Sequence, residues 1–418
     1  MVNVLVVGSG GREHALSWKL SQSELVDDVY VAPGNGGTSQ NIPISVDDID
    51  ALANFAQEKS CFTIVGPEAP LANGLVDKFT EKGLAIFGPS KQAAQLESSK
   101  IWAKEFMKRN DIPTADFEIF DDAQKAKEFV STYQKQVVIK ADGLAAGKGV
   151  IVCDNNDEAN DAIDKILVKK EFGDAGSKII IEERIDGIEA SYIALCDGQV
   201  GIPMATSQDH KRAYDDDKGP NTGGMGAYSP TPVIDDKLGS VIQEEIIGKT
   251  ISSMTKEGIE FRGFLYAGIM IRDGRPYVLE YNVRMGDPEC QPILMRLDSD
   301  LYKYLKASSE GKLNDLPKLS WKNESAVCIV LASNGYPNSY PKGDEIIGLS
   351  DISQDSFVFH AGTKNEDGKI VSNGGRVLGV TALGSSLNDA INNAYSVAEK
   401  IHWKNKYHRN DIGKKGLS

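Results

Sequence analysis

The sequence predicts a multidomain chain that mixes α/β and α+β architecture, and three observations carry that expectation. At 418 residues the chain is too long for one hydrophobic core, and length alone suggests roughly two to four domains. Over the first hundred residues, short apolar runs ending at Gly or Pro alternate with helical patterns. That alternation marks a parallel sheet with helices on both faces. From about residue 116 the pattern turns to strand, helix and paired strands, as in a small antiparallel α+β lobe.

The elements follow in order. VNVLVVG (2–8), VYVA (29–32), CFTIVG (61–66) and LAIFG (84–88) read as strands, with helices at about 12–22, 48–58 and 70–82. Parallel sheets bind ligands beyond the carboxyl ends of their strands. The Gly-rich turns at 8–13, 33–37 and 66–70 lie there. A helix at about 90–110 leads out. FEIF, a charged helix, QVVIKAD, GVIVCD, a second helix, SKIIIEERI and ASYIALCDG then make up the lobe. A long loop at 207–230, a helix at about 234–257 and strands at 264–271 and 276–284 come next. The last section holds AVCIVLAS, VLGVTALG and a helix at 387–401, and KNKYHRNDIGKKGLS reads as a solvated tail. The expected division is 1–100, 101–315 with a small lobe at about 116–190, and 316–418.

Bulk properties narrow the function. A formal charge of −14 argues against a general nucleic-acid binder, which needs a basic face for phosphates. No apolar stretch is long enough to cross a bilayer, and the N-terminus enters a strand without a basic leader or cleavage site. Cys61, Cys153, Cys196, Cys290 and Cys328 are scattered in or beside apolar runs, without a C-x-x-C pair. They read as reduced, buried thiols of a cytoplasmic protein.

Several segments carry chemistry. Gly8-Ser-Gly-Gly-Arg-Glu13 follows a strand and opens a helix, but Glu13 stands where a dinucleotide site needs Gly or Ala. The second strand ends in Pro33 rather than an acid for a ribose, so NAD is disfavoured. The amides of Gly10 to Glu13 still suit another phosphate. Lys140-Ala-Asp-Gly-Leu-Ala-Ala-Gly-Lys148-Gly149 fails as a P-loop. Its first glycine is one residue too close, Gly149 replaces the Ser or Thr, and it joins two strands. It fits a Gly-rich hairpin lid over phosphates, with charge from Lys140 and Lys148. In IIIEERIDGIEAS, backbone near Glu182, Glu183 and Ile185 suits an adenine edge, and Glu189 suits ribose hydroxyls. The 207–230 loop is long enough to be functional or disordered, and its Gly-Gly-Met-Gly run suggests backbone held close to a ligand. None of the five histidines has metal spacing.

The most informative stretch is VLEYNVRMGDPE (278–289). Strand side chains alternate faces, so Glu280, Asn282 and Arg284 share one face, opposite Leu279, Tyr281 and Val283. A carboxylate and an amide oxygen are hard donors for Mg²⁺ held against phosphates. The guanidinium is a fork for a carboxylate or phosphate.

Together with VGSGGREHAL, APGNGGT, TIVGPEAPL, FGPS, MATSQDHKR, GPNTGGMGAYSP, GFLYAGIMI, FHAGTK, NGGRVLGVTALG and RNDIG, these segments resemble the ATP-grasp superfamily of carboxylate–amine ligases. Within it they are most similar to the glycinamide ribonucleotide synthetases of purine biosynthesis. The resemblance spans the chain and implies a parallel N-terminal pre-ATP-grasp domain, a two-lobed ATP-grasp domain and a small C-terminal α+β domain. It implies ligation of glycine to phosphoribosylamine with ATP through glycyl phosphate, using Mg²⁺ or Mn²⁺. Small-molecule substrates, a monomer, and neither nucleic acid nor membrane are the expected partners.

Carried over by motif, Lys100, Lys140, Gly147 and Lys148 would meet ATP, Glu182, Glu183 and Ile185 the adenine, and Glu189 the ribose. Glu280 and Asn282 would hold the metal. Lys148, Arg284 and Asp287 are the expected catalytic residues. Arg284, Gly286 and Asp287, helped by Asp209 and by Thr222, Gly223, Gly224 and Met225, would hold glycine. Gly11, Arg12, Glu13, Gly66 and Glu68 would shape the phosphoribosylamine site, with Arg376 as a phosphate contact. The strand GFLYAGIMI lacks the acid many ATP-grasp enzymes place there, so ATP oxygens and water would complete the metal shell. A ligase for formate or bicarbonate, a nucleotide-sensing binding protein and an NAD oxidoreductase are the rival readings.

Overall fold

The computed structural model describes residues 1–143, 149–350 and 352–417. It opens with β1 (Val2–Gly8), α1 (Gly11–Leu20), β2 (Val26–Pro33), the short β3 (Gln40–Asn41), α2 (Ile49–Lys59) and β4 (Cys61–Val65). Next come α3 (Glu68–Ala72), α4 (Leu75–Glu81), β5 (Ile86–Phe87), α5 (Gln95–Ser98) and α6 (Lys100–Arg109). The five strands form a parallel sheet in the order β3-β2-β1-β4-β5. Val4, Leu5, Val6 and Val7 are fully buried, as expected for a parallel strand covered on both faces. Two expected helices are each broken in two. The 70–82 pattern is interrupted at Gly74. The 90–110 pattern breaks at Ser99, whose extended backbone lets its hydroxyl accept from the Trp102 amide and cap α6.

The small lobe contains β6 (Phe117–Phe120), α7 (Ala123–Thr132), β7 (Val137–Ala141), β8 (Val150–Cys153), α8 (Asn156–Ile163) and β9 (Ile179–Glu183). Its antiparallel sheet has the order β6-β9-β7-β8. Asp122 and Asn155 cap its helices. The following strand, β10 (Ile188–Asp197), was expected in this sheet but lies in another. With β11 (Gly201–Pro203), β16 (Arg262–Arg272) and β17 (Arg275–Asn282) it makes the order β11-β10-β16-β17, backed by α9 (Asp236–Ile242) and α10 (Lys249–Lys256).

The 207–230 segment is not an irregular loop. It holds β12 (Gln208–Asp209), β13 (Arg212–Tyr214), β14 (Lys218–Asn221) and β15 (Gly226–Ser229). After α11 (Cys290–Arg296) and α12 (Leu301–Glu310), the chain forms β18 (Ser325–Ser333), β19 (Ser356–His360), β20 (Thr363–Glu366), β21 (Lys369–Ser372), β22 (Arg376–Gly384), α13 (Leu387–Ala398) and β23 (Lys406–Tyr407). The C-terminal sheet runs β12-β15-β18-β22-β19, with β23 also on β18. Two strands of the supposed loop therefore belong to the C-terminal sheet. All five cysteines are free and buried, as expected.

The tail is not solvated. Arg409 is fully buried; it donates to Asp411 at 2.6 and 2.7 Å, to Asp217 at 3.1 Å and to the Arg212 carbonyl at 2.9 Å. A polar basic string looks solvated in sequence, but a guanidinium can be buried once its donors are satisfied. Arg409→Ala takes the guanidinium from Asp411, leaves Asp217 with Lys415, and is expected to cost about 3 kcal/mol; an unchanged urea midpoint would refute this. Among the described residues, no helix is long and apolar enough to cross a membrane.

Candidate active site

The first wall of the site comes from the carboxyl ends of β1 and β4. Glu13, in the first turn of α1, folds back so that its carboxylate accepts from the Gly10 amide at 2.6 Å and from Arg12 Nε at 2.5 Å. The carboxylate fills space that neighbouring side chains would take. A Cβ on Gly66 would come within 2.0 Å of Glu13 Oε1, and one on Gly8 within 2.3 Å of its Cγ. Glu13 thus occupies the helix end that a dinucleotide pyrophosphate would need, which is why the fingerprint fails there. Arg12 Nη1 also donates to the Met285 carbonyl at 3.2 Å, joining α1 to the turn after β17.

A cleft of about 460 Å³ lies between the small lobe, α5, α6, β16 and β17. Lys140 on β7 pairs with Glu182 of β9 at 3.0 Å and reaches out of the lobe to the Leu279 carbonyl at 2.9 Å. Glu182 is buried and also pairs with Lys104 of α6 at 2.9 Å. Burial outweighs that pairing and pulls the Lys104 ammonium down to about 8. Lys100 donates to the Gly143 carbonyl at 2.9 Å. Burial lowers its pKa against the pull of Glu280.

Glu280 lies among cations. Burial alone would raise its pKa, but Lys211, Lys140, Lys100 and Arg284 together hold it at about 2. Lys211 is 3.6 Å from Glu280 and also pairs with Glu189. Asn282 Oδ1 accepts from Arg284 Nη2 at 3.1 Å. The expected strict alternation is broken by a β-bulge opposite Gly268/Ile269, and Leu279, assigned to the greasy face, lines the cleft, as does Tyr281.

Arg284 is held firmly. Nη2 also pairs with Glu97 at 2.8 Å, Nε meets Glu68 at 3.2 Å and Nη1 donates to the Met285 carbonyl at 3.3 Å. Asp209, Thr222, Gly223, Gly286 and Asp287 all line the cleft. Burial, reinforced by Glu289, pushes Asp209 well above the usual carboxylate range, whereas Arg376 and Arg12 outweigh burial and hold Asp287 below it.

Other expected residues stand apart from the cleft. Glu183 turns outward to Lys135 (2.7 Å) and Arg272 (3.3 Å). Ile185 is buried, and Met225 is buried in the C-terminal core. Gly147 and Lys148 lie outside the described residues. Sequence reasoning missed Glu97, Lys104, Lys211, Tyr266, Glu289 and Tyr336, all of which line the cleft. Glu97 and Lys104 looked like ordinary polar positions of a helix. The only available signal was Glu289, which closes the Gly-Asp-Pro turn; its Oε1 accepts from Tyr266 at 2.9 Å and Ser191 at 3.2 Å.

The C-terminal domain also locks onto the N-terminal sheet. The His360 amide donates to His14 Nδ1 at 2.8 Å, and the Asn35 side-chain amide donates to the Ser9 and His360 carbonyls at 2.9 and 2.8 Å. Burial, then the neighbouring His360, pushes His14 down to about 3; burial pushes His360 to about 4. Both folded values lie below the unfolded value near 6.5. The unfolded chain then binds more protons, so this stability is present above about pH 6.5 and is lost as pH falls towards 4. The urea midpoint should drop over that window, with a smaller slope in His360→Gln. An equal slope in the two proteins would rule the pair out.

A parallel N-terminal sheet followed by two lobes closing over a lysine-lined cleft defines the ATP-grasp class. Family models match in sequence order: the phosphoribosylglycinamide synthetase N domain at residues 2–97, the ATP-grasp (A) domain at 98–290 and the C domain at 326–415. The chain belongs to the phosphoribosylglycinamide synthetase family. It is 51% identical to the phosphoribosylamine–glycine ligase of Vibrio parahaemolyticus, covering 100% of this chain and 99% of that protein. The same ligase of Ralstonia nicotianae is 51% identical, with 100% of each covered. The crystal structure of phosphoribosylamine–glycine ligase from Thermotoga maritima superposes with a TM-score of 0.85 at 35% identity, covering 98% of this chain and 100% of that one. The biotin carboxylase domain of Hydrogenobacter thermophilus 2-oxoglutarate carboxylase shares the fold, with a TM-score of 0.74 at 16% identity over 97% and 91% of the two chains.

Proposed function

We propose that this chain is a phosphoribosylamine–glycine ligase of de novo purine biosynthesis. It joins glycine to 5-phosphoribosylamine and forms glycinamide ribonucleotide, ADP and phosphate. The observation that carries this is the cleft, where residues from all three family-matched regions converge: Arg12 and Glu68, the Lys140–Glu182 and Glu280–Arg284 groups, and Arg376. We divide the chain at 1–100, 101–315 and 316–418, in keeping with those matches, and set the small lobe at about 116–190 around the sheet β6-β9-β7-β8. We place the protein in the cytoplasm as a monomer; sedimentation of the purified chain tests the monomer.

Two anions must meet for the reaction to begin. Glycine's carboxylate oxygen attacks the γ-phosphorus of ATP, ADP leaves, and glycyl phosphate forms. The phosphoribosylamine nitrogen then attacks the acyl carbon, phosphate leaves and the nitrogen loses a proton. Catalysis of this kind is mainly positioning and charge compensation. Lys100, Lys140, Gly147 and Lys148 would face ATP. The backbone near Glu182, Glu183 and Ile185 would meet adenine, and Glu189 the ribose. Asp209, pushed up first by burial and then by Glu289, would receive glycine's ammonium beside its carboxyl group. Arg284, already oriented by Glu68 and Glu97, faces the carboxylate with its remaining Nη1 hydrogen, and Asp287 and the 222–225 loop close around the substrate. Gly11, Arg12, Glu13, Gly66 and Glu68 would border phosphoribosylamine.

The donor set fits a divalent cation brought in with ATP. Glu280 and Asn282 supply two hard oxygens, and among the described residues no three acidic, His or Cys groups gather into a self-sufficient metal site. Mg²⁺ or Mn²⁺ held there would offset phosphate charge. The direct test is ADP release from purified protein, expected only when glycine and phosphoribosylamine are both present. Turnover with formate or bicarbonate in place of glycine would overturn the reading.

A further inference from the structure

Arg376 stands at the start of β22 in the C-terminal sheet, yet its guanidinium binds two active-site loops at once. Nη1 donates to the Gly223 carbonyl at 2.6 Å, the Asp287 carbonyl at 2.5 Å and the Gly224 carbonyl at 3.3 Å. Nη2 lies 3.4 Å from the Asp287 carboxylate. From the same domain, the Tyr336 hydroxyl accepts from the Gly223 amide at 3.1 Å.

The two loops are cut to fit this arrangement. A Cβ on Gly223 would come within 3.0 Å of the Arg376 guanidinium carbon. Gly224 has φ +111, and a Cβ there would lie 2.4 Å from Pro288 Cδ. The absence of side chains at 223 and 224 lets the loop press against the 286–288 turn and lets the guanidinium reach backbone oxygens. A guanidinium edge that already faces three carbonyls is a poor fork for a phosphate. Its burial is compensated chiefly by Asp287, which keeps its pKa raised.

We propose that Arg376 and Tyr336 are positioning residues that set the affinity for glycine, by fastening the 222–224 loop to the 286–288 turn. The C-terminal domain thereby builds the amino-acid pocket without contacting the amino acid. This rests on the glycine-ligase reading above.

The test uses the full chain and four proteins: wild type, Arg376→Gln, Arg376→Lys and Tyr336→Phe. ADP release is measured with glycine, ATP and phosphoribosylamine varied in turn, alongside a thermal melt. The expected result for Arg376→Gln is a glycine KM raised about tenfold or more, with the KM for ATP within about twofold. Arg376→Lys should fall between it and wild type, because one ammonium reaches only part of the carbonyl set. Tyr336→Phe should shift the glycine KM in the same direction by a few-fold, with an unchanged melt. Equal shifts in all three KM values together with a lowered melt would mean a merely structural role and overturn the proposal. An unchanged glycine KM with a raised phosphoribosylamine KM would overturn it in favour of a direct phosphate contact. A wild-type protein without glycine-dependent turnover would overturn the ligase reading and this inference with it, whereas normal wild-type turnover with an unaffected variant removes the inference alone.

Discussion

Glu280→Gln lowers glycine-dependent ADP release by about 10²–10³-fold while the fold is retained. The substitution keeps the shape and removes one charge. Glu280 is ionised across the working pH range because four cations hold its pKa at about 2, so the charge removed is a full one. Asn282, the other donor of the proposed pair, is neutral and already accepts from Arg284. The proposed metal-holding pair would then offer a divalent cation only uncharged oxygens. Mn²⁺ affinity in the presence of ATP, read by electron paramagnetic resonance, should weaken in parallel with the rate. A variant that keeps both its rate and its Mn²⁺ affinity would remove Glu280 from the metal role. A variant with lost rate but intact nucleotide binding would also separate an enzyme from a nucleotide sensor.

Lys140→Ala should produce two losses at once. The lysine crosses from the small lobe to β17, linking Glu182 to the Leu279 carbonyl. Without it, buried Glu182 keeps, among the described residues, only Lys104 as a charge partner; removing one partner of a buried pair costs about 3 kcal/mol. The second loss is chemical. If Lys140 faces the nucleotide, kcat/KM for ATP falls by about 100-fold. Lys104→Ala is the natural comparison, because it breaks the same network from the α6 side. It should lose similar stability and much less ATP efficiency. Denaturation in urea and ATP-dependent kinetics on both variants separate the two effects. Equal kinetic losses would assign Lys140 a purely structural role.

The parallel sheet and the small lobe were legible because their signals are local. A β-branched run such as VNVLVV can hardly be anything but a buried strand, and Gly turns mark where it ends. Glu280, Asn282 and Arg284 were legible for the same reason, since two-residue spacing on one strand puts them together. What escaped were pairings fixed by distant chain. Glu97 meets Val283 and Arg284 across 186 or more residues, and nothing in QLES announces an acid that must be buried. Leu279 was misplaced because a bulge depends on the partner strand. The 207–230 segment looked like a loop because its strands are short and Gly-rich. The ladder partner of β15, β18, begins almost a hundred residues later.

That long-range ladder has a consequence for when the enzyme comes alive during its own synthesis. Gly226–Ser229 emerges from the ribosome well before Ser325–Ser333, the strand it pairs with. Arg376, which holds the Gly223 carbonyl, and then Arg409, which holds the Arg212 carbonyl, follow later still. A nascent chain ending before Ser325 carries every residue proposed to touch the nucleotide, yet lacks the β18 ladder and the Tyr336 and Arg376 contacts that fasten the loop proposed to receive glycine. Chains arrested at that length should therefore retain nucleotide without consuming glycine, and ligation should begin only when the final strand and tail have been delivered. Glycine turnover by such arrested chains would show instead that the loop forms unaided.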